Sequence, residues 1–365
     1  MLKNTNLTRR QALAAFGSIT AGLALAACGA SQTQSTDPAS TSDASSSSDA
    51  SAAAEDVTVR VASLKGPTAI GLVSMMDTTS GVPTEDTPTE PAEGSTGITY
   101  SYTISGSPDQ VLPQVIQGET DIALVPSNVA SVLYNKTKGG VKVIDVNTLG
   151  VLSVVTGDAS IQAFEDLAGR TVYMSGPGSS PEYTLSYLLD QAGIRDQVQV
   201  EWKSEHTEVA SALAADPTAV GVLPEPFTTA TLAQNDALSA PVVLADVWDQ
   251  YAGSTGSKYV MGVTVARSEF AEQHPAAVED FLAKHAESVQ YTKDDVDGAA
   301  ALVVEAGIVA KEPVAKAAIP KCNVVCLTGD EMRDALSGYL QVLFEADASS
   351  VGGALPEDDF YYLGA

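Results

Sequence analysis

Residues 118–128 read GETDIALVPSN, and this stretch decides the fold. Its part 121–126 is a near-continuous apolar run of strand length, which is typical of a strand buried on both faces of a sheet. Ser127 and Asn128 follow at the predicted start of a helix. Their side chains are candidates for ligand contact, and the alternative for Ser127 is that it only caps the helix that begins there.

The chain on both sides of this stretch alternates predicted strands with predicted helices, which indicates an α/β fold with parallel sheets and right-handed crossovers. The first strand is 57–63, and a helix with proline in its first turn is predicted over 67–76. The strand 258–266 is expected to return to an earlier sheet, and helices dominate from 269 to 345. Ligands of open α/β sheets bind beyond the carboxyl ends of the strands, so the residues that directly follow strands are the candidates for a site.

The acidic balance of the chain excludes some classes of partner. The 365 residues include 19 Lys and Arg against 46 Asp and Glu, a formal charge of −27. Nucleic-acid binding needs clustered basic residues, and so does docking on an anionic lipid surface, so neither is expected. Because histidine and cysteine occur three times each, no metal centre and no cofactor are predicted.

The N-terminal segment is predicted to be an export signal. Arg9 and Arg10 form a twin-arginine pair, and the apolar run 13–27 is shorter than the roughly 20 residues that span a bilayer. The run ends just before Cys28 in the sequence LAACG, which looks like a bacterial lipobox; a signal peptide with an incidental cysteine is the alternative. We predict a lipoprotein signal peptide over 1–27, lipidation of Cys28 and an anchor on the extracytoplasmic face of the cell membrane. The choice between twin-arginine and general export stays open.

A tether is predicted to follow the anchor. Residues 28–56 are rich in Ser, Thr, Ala and Asp and contain no aromatic side chain. Such a composition buries too little apolar surface to offset chain entropy, so the segment is expected to be disordered.

Four loops that follow predicted strands supply the candidate ligand-binding residues. The first contains Lys65, Gly66, Pro67 and Thr68, where a helix N-terminus offers free N–H groups and Lys65 adds a charge. A solvated lysine beside a helix cap is the alternative. The second contains Ser127 and Asn128. The third is the serine-glycine loop after the strand 171–174, with these candidates: Ser175, Gly176, Gly178, Ser179 and Ser180.

The serine-glycine loop is interpreted as a ligand cradle, with a plain loop as the alternative. Its glycines permit positive φ and close backbone approach. A dinucleotide role is disfavoured, since Pro181 stands where a third glycine is needed. The fourth loop holds Glu225 between two prolines, and this carboxylate either accepts a hydrogen bond from a ligand or caps the helix that follows.

These segments together resemble the solute-binding proteins of bacterial ABC importers in the nitrate, sulfonate, taurine and thiamine-precursor group. The lipobox, the Lys65–Thr68 loop, the stretch 118–128, the sequence LAGRTV at 167–172 and the Pro-Glu-Pro around Glu225 carry the resemblance, which covers 57–365. It implies a two-lobe, hinge-joined type II periplasmic-binding-protein fold with a helical C-terminal region. Lobe 1 is then 57–150 with 250–365, and lobe 2 is 151–249.

The same resemblance implies the function. A monomer would capture a small organic molecule or anion between the lobes and deliver it to a permease and its ATPase. The alternatives are a surface interaction lipoprotein without a ligand and an enzyme on the same fold. A related pyrimidine-forming group uses histidine and a cysteine-rich stretch that this chain lacks. His206, His274 and His285 fall in predicted helices and are interpreted as surface or satisfied histidines, so no catalytic residue is predicted.

Two cysteines near the C-terminus leave three alternatives. An oxidising compartment permits a disulfide between Cys322 and Cys326 if their α-carbons come within about 7 Å. Two buried free thiols and a metal site are the other interpretations.

Overall fold

The computed structural model describes residues 57–76, 97–253 and 257–364 and contains two β-sheets, each packed against helices. The predicted signal peptide (1–27) and tether (28–56), including Cys28, lie outside the described residues. None of the helices in the three described ranges combines the length and the apolar character that a membrane crossing needs.

The first sheet has six strands in the order β11-β4-β10-β3-β1-β2. Strand β1 pairs in parallel with β2 and β3, whereas β10 runs antiparallel to both β3 and β4, and β11 runs antiparallel to β4. We call this sheet and the helices that pack on it lobe 1. Its strands are β1 (Val57–Leu64), β2 (Ile98–Ser105), β3 (Ile122–Pro126), β4 (Val141–Leu149), β10 (Val260–Arg267) and β11 (Val324–Leu327).

The second sheet has five strands in the order β7-β6-β8-β5-β9 and forms lobe 2. Strand β6 pairs in parallel with β7 and β8, while β5 runs antiparallel to β8 and β9. Its strands are β5 (Leu152–Thr156), β6 (Thr171–Ser175), β7 (Gln199–Lys203), β8 (Val220–Pro224) and β9 (Ser239–Val243).

Twelve α-helices connect and cover these strands in the described part of the chain. Proline occupies the first turn of α1, α2, α4, α9 and α11, where its fixed φ and missing N–H are tolerated. The helices are α1 (Pro67–Ile70), α2 (Pro108–Gln117), α3 (Ser127–Thr137), α4 (Ser180–Gln191), α5 (His206–Ala215), α6 (Phe227–Leu232), α7 (Leu244–Ala252), α8 (Ser268–Gln273), α9 (Pro275–Asp294), α10 (Val296–Glu305), α11 (Glu312–Ala318) and α12 (Gly329–Ala346).

The chain passes directly from the first sheet to the second at Gly150, between β4 and β5, and returns through α7 into β10. Glycine is required at this crossing because a Cβ on Gly150 would lie 2.4 Å from Cδ1 of Tyr259 and 3.0 Å from Cβ of Ala245. The crossing is therefore tightly packed as well as short.

One of the three apolar clusters that the described residues form runs through both lobes. It includes Val143 and Val263 of the first sheet and Val154 of the second. The indole of Trp248 on α7 lies 5.5 Å from the ring of Tyr259 and 5.1 Å from that of Tyr339 on α12, measured between centroids. Because aromatic rings bury large apolar areas, α7 and α12 join the lobes beyond the two chain crossings.

The α/β class and the returning strand β10 are confirmed, but the prediction of purely parallel sheets is wrong. That prediction assumes a crossover helix after each strand. Strand β5 instead follows β4 without a helix, and β10 arrives from the other lobe, so neither direction is set by a crossover. The helix predicted over 67–76 is also too long, since α1 ends at Ile70 and turns follow from Gly71.

Candidate ligand-binding cleft

A cleft of about 1010 Å³ lies at the carboxyl ends of strands from both lobes. Its walls contain the residues that directly follow strands, as expected for ligand sites of open α/β sheets. They are Lys65 after β1, Gly106 after β2, Gly176 after β6, Ser204 after β7 and Pro226 close after β8. The cleft is therefore shared by the two lobes.

The loop after β1 brings Lys65, Pro67 and Thr68 to the cleft, and Gly66 lies between them without lining it. Gly66 has φ 149° and ψ −154°, a backbone conformation that is nearly restricted to glycine. The hydroxyl of Thr68 donates to the carbonyl of Leu64 at 3.0 Å and closes the loop. Lys65 is exposed, and it is the one lysine or arginine among the described residues that line the cleft.

The serine-glycine loop after β6 brings Ser175, Gly176 and Ser179 to the cleft. Gly176 and Gly178 have φ of 80° and 78°, so both use the conformation that glycine permits. The hydroxyl of Ser179 donates to the carbonyl of Gly176 at 2.5 Å, which ties the loop to itself. Gly178 is exposed beside the cleft and does not line it.

His206, at the start of α5, also lines the cleft. Its Nδ1 lies 2.5 Å from Oγ of Ser175, and its ring packs on Phe227 with 4.7 Å between centroids. Burial lowers the pKa of His206 to about 4, so the imidazole is neutral at neutral pH. The sequence pattern predicts a surface or satisfied histidine at this position. The missed signal is its place three residues after the end of β7.

The glutamate that lines the cleft is Glu205 and not Glu225. The carboxylate of Glu225 is buried and accepts hydrogen bonds from the backbone N–H of Thr229 at 3.1 Å and from its hydroxyl at 3.0 Å. Burial raises the pKa of Glu225, and the bonds to Thr229 and the charge of Lys321 partly oppose this. Of its two predicted roles, the structure shows the helix cap.

Ser127, Asn128 and Ser180 do not line the cleft and instead join the lobes in a buried group that we call the interlobe seam. The hydroxyls of Ser127 and Ser180 are 2.9 Å apart, and that of Ser180 donates to Oδ1 of Asn128 at 3.0 Å. The amide of Asn128 donates to the carbonyls of Gly178 and Ser350 at 3.2 and 3.0 Å.

The helix-cap interpretation of Ser127 is wrong. Pro126 occupies the N-cap position of α3, and the hydroxyl of Ser127 donates to the carbonyl of Val260 at 2.6 Å. The side chain thus connects α3 to a neighbouring strand of its own lobe, in addition to its contact with Ser180 across the seam.

Four helices of eight or more residues begin at the wall of the cleft, and in one of them, α3, the N–H of Asn128 already donates to the hydroxyl of Ser180. The N-cap residues of α2, α4 and α5 are Ser107, Ser179 and Glu205; all three line the cleft, and none of their side chains caps its own helix by a hydrogen bond. Helix N-termini carry partial positive charge and unpaired N–H groups. The cleft therefore receives positive potential from these helix N-termini in addition to the charge of Lys65, and the carboxylate of Glu205 at the start of α5 partly opposes it.

The rest of the wall is largely apolar, and its members come from both lobes. The apolar side chains that line it include Phe227, Leu238, Met261, Ile308 and Val309. Such a surface binds carbon skeletons and excludes water.

The cleft lining of the described residues contains no cluster of three metal-binding side chains. The group of this kind that the described residues do contain is formed by Asp145, His285 and Cys326, which lie elsewhere in lobe 1.

Cys322 and Cys326 are both free thiols, so the disulfide alternative is wrong. The Cys322 thiol donates to the carbonyl of Ala318 at 3.2 Å.

Two lobes that share a cleft at their strand ends define the class of periplasmic substrate-binding proteins of ABC transporters. The family described as "ABC transporter, phosphonate, periplasmic substrate-binding protein" matches residues 93–303. This match covers more than half of the chain, and the chain belongs to that family. No curated protein sequence matches the chain.

Solved structures of the same class have the same fold. An ABC transporter protein from Parabacteroides distasonis is 22% identical, with a TM-score of 0.68 over 84% of this chain and 99% of that one. The periplasmic aliphatic sulphonate binding protein of Escherichia coli is 15% identical, with a TM-score of 0.62 over 82% and 92%. The alkanesulfonate-binding protein of Xanthomonas axonopodis pv. citri, bound to MOPS, is 12% identical, with a TM-score of 0.60 over 84% and 96%. The predicted two-lobe type II periplasmic-binding-protein fold is thus confirmed.

Proposed function

We propose that this protein is the extracytoplasmic, lipid-anchored solute-binding component of an ABC importer, and that it captures a small organic molecule with a phosphonate or sulfonate group. The observation that carries the proposal is the combination of Lys65 with the N-termini of α2, α4 and α5 around a cleft that is otherwise largely apolar. The family name and the sulfonate-binding relatives support this ligand class.

The polar part of the cleft suits an oxyanion. Backbone N–H groups at helix N-termini bind phosphate-like groups without a full charge of their own, and Lys65 adds one cation. In the tautomer of His206 that carries its proton on Nε2, the Ser175 hydroxyl donates to Nδ1, and Nε2–H is a further donor for the ligand. Because the site offers several N–H donors but only one cationic side chain among the described residues, it suits a group with several oxygens and a small net charge.

The apolar part suits the carbon skeleton of the ligand. The cleft volume of about 1010 Å³ lies at the upper end of the range of small-molecule sites, roughly 300–1,000 Å³, and far exceeds what an inorganic anion fills. Phe227 and Met261 offer surface on opposite lobes. Contacts with both lobes favour the closed form when the ligand is bound, and this gives the permease a liganded shape to recognise.

The contact between Ser175 and His206 also bears on the alternative of an enzyme, because serine nucleophiles are activated by histidine. An imidazole with a pKa of about 4 is a weak base, and Ser175 is only 3% exposed. We therefore assign the pair to binding, and the ligand should be recovered unchanged after incubation with the protein.

The lipid anchor rests on the sequence before the described residues. Arg9, Arg10, the apolar run 13–27 and Cys28 support export and lipidation, and 28–56 supplies a tether between anchor and body. A monomer that binds one ligand and docks on a permease completes the proposal.

The test is a titration of the full chain, carrying Cys28→Ser to keep it soluble, with methylphosphonate, phenylphosphonate and ethanesulfonate. Isothermal calorimetry and the melting temperature report binding. We expect the organic anions to bind and to raise the melting temperature, and inorganic phosphate and the cation phenethylammonium to bind at least tenfold more weakly. A well-folded protein that binds none of the anions, or that prefers the cation, would contradict the proposal.

A further inference from the structure

A buried cluster of three potential metal ligands lies in lobe 1, outside the cleft lining. It consists of Asp145 on β4, His285 on α9 and Cys326 on β11, and one ligand atom of each lies within 4.8 Å of the other two. We propose that this cluster binds a divalent metal ion of the zinc type, which fastens the edge strand β11 to the body of lobe 1. The proposal is independent of the ligand of the cleft.

Asp145 is the charged member of the cluster and is completely buried. Its Oδ1 accepts a hydrogen bond from the hydroxyl of Thr264 at 2.7 Å, and its Oδ2 lies 2.8 Å from Nδ1 of His285. Among the described residues, His285 is its one ion-pair partner. A carboxylate removed from water needs a partner of opposite charge, and a metal ion supplies one. The bond from Thr264 orients the carboxylate in the way that outer-shell partners orient metal ligands.

His285 is also completely buried, and its ring is oriented toward the cluster. Its Nδ1 faces Asp145, whereas its Nε2 has no hydrogen-bond partner within the described residues. A Cβ on Gly71 would lie 3.2 Å from Nε2, so glycine at this position makes room for the ring. The contacts of the imidazole therefore direct one nitrogen, Nδ1, at the carboxylate of Asp145.

Cys326 lies where the pairing of β11 is irregular. Strand β11 pairs with β4 at Val324 and again at Leu327, with a shift of register between the two positions. A metal bound to Cys326, Asp145 on β4 and His285 on α9 would link β11 to both elements. The link would lie where the regular hydrogen bonding between β11 and β4 is interrupted. Cys326 is partly exposed, and a surface pocket of about 340 Å³ is lined by the two residues before it, Val324 and Val325.

The chemistry of the three donors fits zinc. A carboxylate and a thiolate supply two negative charges and a neutral imidazole supplies none, so a divalent cation leaves the buried cluster neutral. The thiol releases its proton to solvent when the metal binds, and the neutral imidazole binds through Nδ1 in the tautomer that carries its proton on Nε2. Zinc takes nitrogen, oxygen and sulfur donors at roughly 2.0–2.3 Å, and a sulfur donor disfavours magnesium and calcium. Donor atoms that are already within 4.8 Å of one another need only small shifts to form such a shell.

The first test uses cobalt as a spectroscopic probe for the zinc site in the full chain carrying Cys28→Ser. We expect one cobalt ion per chain and an absorption band from thiolate-to-cobalt charge transfer. Cys326→Ser should abolish the band, and the matched control Cys322→Ser should keep it, since Cys322 donates to Ala318 outside the cluster. A chain without the band, a band that survives Cys326→Ser, or a band lost in Cys322→Ser would each overturn the proposal.

The second test needs no substitution in the cluster and so does not depend on whether the variants fold. Zinc should protect Cys326 from alkylation by iodoacetamide, measured by mass spectrometry of peptides, and should raise the melting temperature of the chain. Equal labelling of Cys326 with and without zinc would overturn the proposal, as would a melting temperature that zinc leaves unchanged.

Discussion

Ser179 and Ser180 are neighbours in one loop, yet they belong to two regions with different tasks. Ser179 lines the cleft, and its hydroxyl bonds only within its own loop, to Gly176. Ser180 lies in the interlobe seam, where its hydroxyl contacts Ser127 and Asn128 of the other lobe. The side chains of the seam thus hydrogen-bond across the lobes, whereas the hydroxyl of Ser179 at the cleft wall makes no hydrogen bond to the other lobe in the described part of the chain. Buried polar groups without partners are costly, so the seam favours one arrangement of the lobes.

The largest loss of stability is expected when the hydrogen bonds of the interlobe seam are removed. Asn128→Ala removes the donors to the carbonyls of Gly178 and Ser350 and the acceptor of the Ser180 hydroxyl. Several buried groups lose partners, so the free energy of unfolding should fall by about 3–4 kcal/mol, measured by urea denaturation. The matched control Ser179→Ala, one residue from the seam, should change it by no more than about 1 kcal/mol. Equal stabilities of the two variants would show that seam and cleft do not differ as described.

The second effect concerns the crossing between the lobes. Gly150→Ala places a Cβ 2.4 Å from the ring of Tyr259, so the packed crossing must shift. Overpacking of this kind costs about 1–3 kcal/mol, and the melting temperature should fall accordingly. Gly169→Ala is a useful contrast, because its Cβ would meet nothing within 4 Å and only the positive φ of 78° opposes it. A melting temperature for Gly150→Ala at or above that of the unaltered protein would argue against a tightly packed crossing.

The third effect is on ligand binding alone. Lys65→Met removes the cation of the cleft wall but keeps a side chain of similar length. We expect affinity for methylphosphonate to fall about tenfold, which corresponds to about 1.4 kcal/mol, by calorimetry. Because Lys65 is exposed, the free energy of unfolding should stay unchanged within about 0.5 kcal/mol. A loss of stability with unchanged affinity would assign Lys65 to the structure and not to the site.

The smallest effect is the pH dependence that His206 contributes. Burial lowers its pKa to about 4, below the roughly 6.5 of an unfolded histidine, so between these values the unfolded chain binds more protons. The neutral His206 therefore contributes fully to the free energy of unfolding above pH 6.5, and this contribution is lost as pH falls. Because the side chain is partly exposed, we expect the loss between pH 7 and pH 5 to be about 1 kcal/mol. His206→Gln should remove this part of the slope in urea titrations at the two pH values. His274→Gln, outside the cleft lining, should leave it in place, and equal slopes in all three proteins would contradict the assignment.

The comparison also shows how far the sequence predicts the site. Ligand-binding residues are expected directly after strands, and this rule predicts positions that do lie at the cleft wall: Lys65, Thr68, Ser175 and Ser179. It could not separate them from Ser180, because two adjacent serines at a helix start diverge only once the packing of the other lobe is known.

Other errors have the same origin in packing between distant segments. The predicted site has one lysine and one glutamate, and so does the cleft wall, but the glutamate is Glu205 in place of Glu225. Glu225 and Glu205 both follow strands, and only the position of Thr229 reveals that Glu225 caps α6. His206 was missed because its helical context outweighed its position after β7. In the fold, the two-lobe architecture followed from the resemblance, whereas the mixed direction of the strands depended on β10, which pairs with segments more than 100 residues away.

The position of β10 has a consequence for how the protein is made. It is inserted between β3 and β4, and α12 near the C-terminus completes the aromatic core shared with lobe 2. The first sheet therefore cannot form in its final order until the ribosome has delivered residues far beyond the second lobe. All five strands of the second sheet precede β10 in the chain, and long-range pairing delays folding. The order of synthesis therefore makes the first sheet the later of the two to be completed.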